Sequence, residues 1–234
     1  MALTNAVALV AGASGDIGRA ISFELLQAGA EVVMLGRSMQ RLVQLRPADG
    51  TRDRCRYIAA DLTTEGALDQ IADELLPGRR MDVLVLSSGT YERASDREAF
   101  DRQVAANLVG PYALIQRLLP SLIESKGQIV FINSTQALKA TGGLSQYAAT
   151  KHALKAIADS LRDEVNSKGV RVVSIFLGRT AGERQRTIFA AESRPYRPAD
   201  LIQPRDVAGL VLFLLRLPRT SEVTDIVMRP MQKL

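Results

Sequence analysis

Apolar residues fall along this chain in short, β-branched runs separated by longer stretches with a helical period. Residues 7–11, 31–35, 56–59, 83–87, 128–133, 170–176 and 225–228 read as strands. Between them, 17–28, 40–45, 64–76, 96–104 running on to about 125, 144–168 and 204–216 read as helices. Gly29, Gly78, Gly127 and Gly169 stand just past helix ends, where the left-handed cap conformation suits glycine. Strands that are apolar on both faces and alternate with helices predict an α/β fold. The expected core is a seven-stranded, mostly parallel, doubly wound sheet with helices on both faces. No repeat, low-complexity tract or linker divides residues 1–234, so a single domain is expected. The stretch 178–202 breaks the pattern: it is arginine-rich, contains Pro195 and Pro198, and reads as irregular. Irregular segments of that length in compact domains are often lids, and a substrate-covering loop is expected here.

Composition narrows the picture by exclusion. The formal net charge is +5, but the basic residues are scattered, with local groups at Arg52/Arg54/Arg56, Arg79/Arg80 and Arg184/Arg186/Arg194/Arg197. A nucleic-acid site would want a basic stripe interleaved with aromatics. Aromatics make up only 5% of the chain, so solvated surface is the better reading and no nucleic-acid partner is expected. No apolar run reaches the roughly 18–20 residues of a membrane span. The first residues lead directly into a strand rather than a leader segment, and a cytoplasmic location is expected. One cysteine, Cys55, and one histidine, His152, leave no internal disulfide and no expected metal site. Cys55 reads as an ordinary thiol, and His152 as packing or surface.

Two segments carry chemistry. Ala11-Gly12-Ala13-Ser14-Gly15-Asp16-Ile17-Gly18 follows the first strand and opens the first helix. Glycines there permit a tight turn and close approach of backbone to a pyrophosphate, and the helix N-terminus offers N–H groups and positive dipole to the anion. A dinucleotide cofactor is expected. At the tip of the second strand, Gly36-Arg37-Ser38 carries no acid to accept hydrogen bonds from an adenosine ribose. A guanidinium instead pairs with a 2′-phosphate, which favours NADP(H) over NAD(H). The alternative is that Arg37 is an exposed turn residue.

The second segment is Tyr147-Ala148-Ala149-Thr150-Lys151. Four residues apart on a helix, the phenol and the ammonium share a face, one turn apart. A free tyrosine has a pKa of about 10, and a cation within about 4–6 Å lowers it by roughly 1–3 units. The pair can therefore form a general acid/base usable near neutrality.

Taken together, these elements resemble the short-chain dehydrogenase/reductase family in its compact, single-domain branch, over nearly the whole chain. The glycine loop is similar to the family's TGxxxGxG, and Tyr147/Lys151 match YxxxK, with Ser134 thirteen residues upstream. Asn107 matches the asparagine of the long middle helix. Asp61-Leu62-Thr63 resembles the turn that meets the adenine. Leu86-Ser87-Ser88-Gly89 stands where the family has NNAG, and Leu177-Gly178-Arg179-Thr180 where it has PG and a stretch covering the nicotinamide.

The resemblance implies a Rossmann-type fold and hydride transfer between NADP(H) and a carbonyl or alcohol of a small organic substrate. Tyr147 would pass the proton, Lys151 would lower the tyrosine pKa and hold the nicotinamide ribose, and Ser134 would fix the substrate oxygen. Asn107 would hold a water linking Lys151 to solvent. Gly12, Ser14, Gly15, Asp16, Ile17, Gly18, Arg37, Asp61, Leu62, Ser88, Gly89 and Thr180, with Tyr147 and Lys151, would hold the cofactor. Relatives pair through the Asn107 and Tyr147 helices, so a homodimer or homotetramer is implied.

Departures matter too. Gly15-Asp16 puts an acid where a glycine commonly sits, so Asp16 must point away from the pyrophosphate. The NNAG element keeps only its glycine, which puts its cross-sheet hydrogen bonds in doubt. The arginines of 178–202 could face an acidic substrate, the cofactor phosphate or solvent. Two other functions fit parts of the pattern: a dinucleotide-sensing regulator, and a sugar-nucleotide epimerase of the extended branch.

Overall fold

The computed structural model describes residues 3–75, 80–93 and 96–232. Gly78, Leu76 at the end of one expected helix, and Arg79 lie outside the described residues. Among the described residues, strands β1 (Val7–Ala11), β2 (Glu31–Gly36), β3 (Cys55–Ala59), β4 (Val83–Leu86), β5 (Gln128–Ser134), β6 (Arg171–Leu177) and β7 (Asp225–Met228) form one sheet in the order β3-β2-β1-β4-β5-β6-β7. Every neighbouring pair is parallel. The order reverses beside β1, where β2 and β4 flank it. A crevice opens at such a switch point above the carboxyl ends of the strands.

Alternation along each strand sorts its side chains between two cores. Leu9, Val33, Leu84, Ile129, Phe131 and Val172 face one side, against helices α3 (Ala67–Leu75), α5 (Gly110–Glu124) and α6 (Ser145–Val165). Ala8, Val10, Val32, Met34, Val85, Val130 and Ile175 face the other, against α1 (Asp16–Gln27), α2 (Met39–Val43) and α8 (Pro204–Arg216). Both faces of the sheet are therefore covered, as the near-continuous apolar strands require.

Three sequence expectations change. The long middle helix is not uniform: α4 (Arg97–Val104) passes into a π-helical turn over Ala105–Val109 before α5. Gly127 is not the left-handed residue at the end of α5; Lys126 takes that conformation at φ 53°. Gly127 is glycine for space instead, because a Cβ there would stand 2.8 Å from the Asp82 carbonyl oxygen. The segment 178–202 is not irregular throughout. It holds helix α7 (Glu183–Ala191) and a 3-10 turn over Pro198–Asp200, packed on a small core of Ala181, Phe189 and Leu201 with Tyr196.

Candidate active site

The turn between β1 and α1 forms the cofactor end of the crevice. Gly12 sits at φ +82°, and a Cβ there would stand 2.6 Å from the Ser88 amide nitrogen, so only glycine lets the turn lie against the segment after β4. A side chain at Gly18 would run into the Gly12 carbonyl. Gly15 is the N-cap of α1 and supplies no side-chain cap, which leaves the first-turn N–H groups of Asp16, Ile17 and Gly18 available to an anion. Ser14 lies beside Gly36 at the end of β2. Ser87 replaces a missing asparagine of the NNAG element by donating its hydroxyl to the Ala11 carbonyl at 2.8 Å. The Ser88 hydroxyl is buried with no hydrogen-bond partner. A buried hydroxyl without a partner is costly unless something else meets it. That atom, the uncapped helix and the glycine cradle fit a dinucleotide.

Farther out, Arg37 is exposed at the tip of β2 and pairs with no carboxylate among the described residues. The Asp61 carboxylate accepts hydrogen bonds from both the Thr63 amide and its hydroxyl, which stiffens the turn after β3. Leu62 packs beneath it, against Gly110.

The other end of the crevice is built on α6. Its face carries Tyr147 and Lys151 one turn apart, with the Lys151 ammonium 5.7 Å from the Tyr147 ring centre. Ser134, the last residue of β5, lies near enough to the Tyr147 phenol to lower its pKa, and its hydroxyl accepts the Gln136 amide at 3.2 Å. Tyr91 meets the Tyr147 ring edge-on, with centres 5.4 Å apart. Asn107 occupies the π-helical turn and is fully buried. Its amide donates to the Thr90 carbonyl (2.9 Å) and the Thr150 hydroxyl (3.1 Å), and its Oδ1 accepts from the Thr90 amide (2.6 Å). π-Turns in α-helices recur at functional sites, and this one sets Asn107 between α6 and the Gly89–Thr90 segment. The Gly89 backbone lies close to Asn107 Oδ1 and Lys151 Nζ, which a Cβ there would approach to 3.0 and 3.6 Å.

Electrostatics depart from the expected division of labour. Burial pushes the Tyr147 phenol above the ordinary tyrosine range, against the downward pull of Arg184 and of Ser134. Lys151 is not among the groups lowering it. The lysine is itself drawn down to about 7, first by burial and then by the Arg184 charge.

The segment after β6 closes over this end. Thr180 is buried, its hydroxyl on the Gly178 carbonyl, and it bridges to Ile202. The Asp16 carboxylate does turn away from the glycine loop. It accepts the Glu183 amide at 2.9 Å and so occupies the N-terminus of α7. Gly182, at φ +153°, leaves room for that carboxylate, which a Cβ would strike.

The structure thus gathers Asn107, Ser134, Tyr147 and Lys151 at one end, and Gly12, Ser14, Gly15, Ile17, Gly18, Ser88 and Gly89 along the crevice beside them. Three more residues meet this group, and sequence reading missed two of them. It offered Arg184 only among the loop arginines that could face an acidic substrate, a phosphate or solvent. Asn133 is buried, donates to the Lys151 carbonyl and accepts from the Ser134 amide, so it ties β5 to α6. Tyr91 packs on the phenol. Arg184 donates to the Gly89 carbonyl at 2.5 Å. Asn133 could have been flagged as a polar residue ending an apolar strand; no sequence signal places Tyr91, and none chooses Arg184 among the loop arginines.

A family model described as short chain dehydrogenase matches residues 6–193. The chain belongs to that family, a family of oxidoreductases, and to its compact branch. It is 30% identical over 238 residues to an uncharacterized oxidoreductase of Staphylococcus aureus strain USA300, an alignment that covers 97% of this chain and 98% of the relative. Among solved structures, the closed form of a serine dehydrogenase complexed with NADP+ superposes with a TM-score of 0.87 at 25% identity, covering 97% of this chain and 96% of the other. A metagenomic short-chain oxidoreductase in complex with NADP matches with a TM-score of 0.82 and 27% identity over the full length of both chains.

Proposed function

We propose that this protein is an NADP(H)-dependent oxidoreductase that interconverts a carbonyl and a secondary alcohol on a small organic molecule. One observation carries the reading: Tyr147, with Ser134 acting on its phenol and Lys151 one turn along the same helix, shares the crevice with the uncapped glycine-loop helix. When bound, the nicotinamide supplies or accepts the hydride. Tyr147 gives the proton to the oxygen that develops negative charge, or takes it in the reverse direction. Ser134 holds that oxygen, which fixes its approach to the phenol.

Lys151 would hold the ribose hydroxyls of the cofactor, and the negative charge of a bound dinucleotide would favour its charged form. Charged, it would lower the pKa of the Tyr147 phenol. Asn107 spends its hydrogens on Thr90 and Thr150, so its contribution is to hold the Gly89–Thr90 segment against Lys151. One lone pair of its Oδ1 is left for a water leading to solvent. Arg37 pairs with the 2′-phosphate of NADP(H). Relatives with bound NADP support this choice.

The same reading makes the whole chain one catalytic domain, with 178–202 as its cover, working in the cytoplasm. Half-exposed Val109 and Tyr112 on the middle helix support a homodimer or homotetramer that covers them.

Titration with NADPH and NADH, followed by a carbonyl panel read at the nicotinamide absorbance, tests the proposal. NADPH binds more tightly, and Tyr147→Phe lowers kcat by about 10²–10⁴-fold with NADPH affinity intact. Unchanged turnover in that variant defeats the assignment. Tight NADPH binding without turnover of any compound favours a dinucleotide sensor.

A further inference from the structure

The arginines after β6 are not equivalent. Arg179 pairs with Glu192 at 3.0 Å and stacks over Phe189 at 4.7 Å. Arg194 meets the same carboxylate at 3.4 Å and the same ring at 5.1 Å. Arg186 lies 3.7 Å from Glu183 and 5.7 Å from the Tyr196 ring. These three fasten the cover to itself. Arg184 has no carboxylate and no ring among the described residues; its one hydrogen bond goes to the Gly89 carbonyl at 2.5 Å.

That bond places a guanidinium at the catalytic end of the crevice, since the Gly89 backbone abuts Lys151 Nζ and Asn107 Oδ1. The placement is built by the fold. Gly182 turns the chain, Asp16 receives the Glu183 amide, and Arg184 follows in the first turn of α7. A guanidinium carries five N–H donors, and a single carbonyl engages one of them. The residue is exposed to solvent, so the rest can meet an incoming ligand. Tyr147 and Lys151 both respond to the Arg184 charge, and no carboxylate offsets it at either group. A guanidinium acting on the phenol and on a buried lysine, with no acid acting on either, suits an anionic group on the ligand.

We infer that Arg184 is a specificity-determining residue, and that the substrate is an oxo-acid or hydroxy-acid whose carboxylate pairs with Arg184 while its carbonyl or hydroxyl oxygen meets Tyr147 and Ser134. The inference rests on the oxidoreductase reading and narrows its substrate class. The reduction balances as any carbonyl reduction does. The carbonyl carbon gains the hydride, its oxygen gains the Tyr147 proton, and the phenol regains a proton from solvent. The carboxylate is unchanged. An oxyanion could also come from the cofactor's phosphates, and the test separates the two sources.

Oxo-acids are compared with their own methyl esters, which remove the charge Arg184 would read and add one methyl group, so the ratio in each variant is set against the ratio in wild type. Wild-type enzyme favours the acids in kcat/KM. Arg184→Met loses about 10- to 100-fold on the acids, mainly through KM, and little on the esters. Arg184→Lys recovers part of the loss, because the charge returns without the fork. The position is exposed, so an unchanged thermal midpoint accompanies both variants. An acid-over-ester preference that survives in Arg184→Met overturns the inference, as does a preference for esters in the wild type. A loss of NADPH affinity in Arg184→Met, with the acid preference intact, assigns the guanidinium to the cofactor and also overturns it.

Calorimetric titration of the same oxo-acids into the protein–NADPH complex keeps the two readings apart. Arg184-dependent binding without turnover upholds the anion site and sinks the oxidoreductase reading. Turnover of neutral carbonyls with no acid binding does the reverse.

Discussion

Burial and a neighbouring cation act on Tyr147 in opposite directions, and burial is the larger. The same two causes act together on Lys151, whose ammonium falls from the ordinary 10.5 to about 7. A lysine only 4% exposed and without a carboxylate is a strained element of the fold, kept for what it does in the site. Below pH about 7 folded and unfolded chains both carry its charge, and the folded chain bears the full desolvation cost. Between about 7 and 10.5 the unfolded chain holds more protons, so this contribution to stability improves as pH rises. Lys151→Met should therefore raise the thermal midpoint relative to wild type at pH 6, with the gap closing toward pH 10. A gap that is constant with pH would show that Lys151 keeps its charge in the folded protein. At this scale the sequence was legible where spacing along one strand or helix defines the group. Tyr147 and Lys151 could be picked out that way, whereas Ser134 and Asn107 were implied only by the family resemblance. Arg184 and Gly89 are far apart in the chain, and nothing local to either one encodes their contact.

Strands were legible as elements because each is buried on two faces and so reads as a continuous apolar run. Helix α7 was not, and the reason is physical. It presents one fully buried side chain, Phe189, with arginines around it, so no apolar stripe announces it. What stabilises its start comes from outside the segment: the Asp16 carboxylate on the Glu183 amide. The π-turn at Ala105–Val109 was equally silent, since a shift in backbone hydrogen bonding leaves the apolar pattern of a long helix almost unaltered. Asp16 therefore couples the glycine loop to α7. Asp16→Ala should cost about 0.5–2 kcal/mol, the usual range for losing an acceptor at a helix N-terminus. Hydrogen exchange should quicken at residues 183–187 and leave β1 and β4 protected. Asp16→Asn keeps an acceptor oxygen and should behave nearly as wild type. Uniform exchange across the sheet in Asp16→Ala would mean that the carboxylate supports the whole fold and not the cover alone.

At the scale of the molecule, the parallel sheet and both cores follow from a regular alternation of strands and helices, which is why the fold class could be read before any side chain was placed. The strand order came from the structure. The choice of cofactor is also a whole-molecule property, because a ligand held between the glycine loop and the end of β2 stabilises the fold that joins them. NADPH at one hundred times its Kd should add about 2.7 kcal/mol of stability. For a chain of this length that corresponds to a rise in Tm of roughly 5–10 °C. NADH at the same concentration should give a smaller rise, since Arg37 has no 2′-phosphate to meet. If Arg37→Ala weakens NADPH about tenfold, the ligand then stands at only ten times its Kd, and the stabilisation falls to about half. The NADH shift should be unaffected by that substitution. An NADH shift as large as that of NADPH in the wild type, or one that falls equally in Arg37→Ala, would place the arginine outside cofactor choice and return it to the solvent-exposed turn.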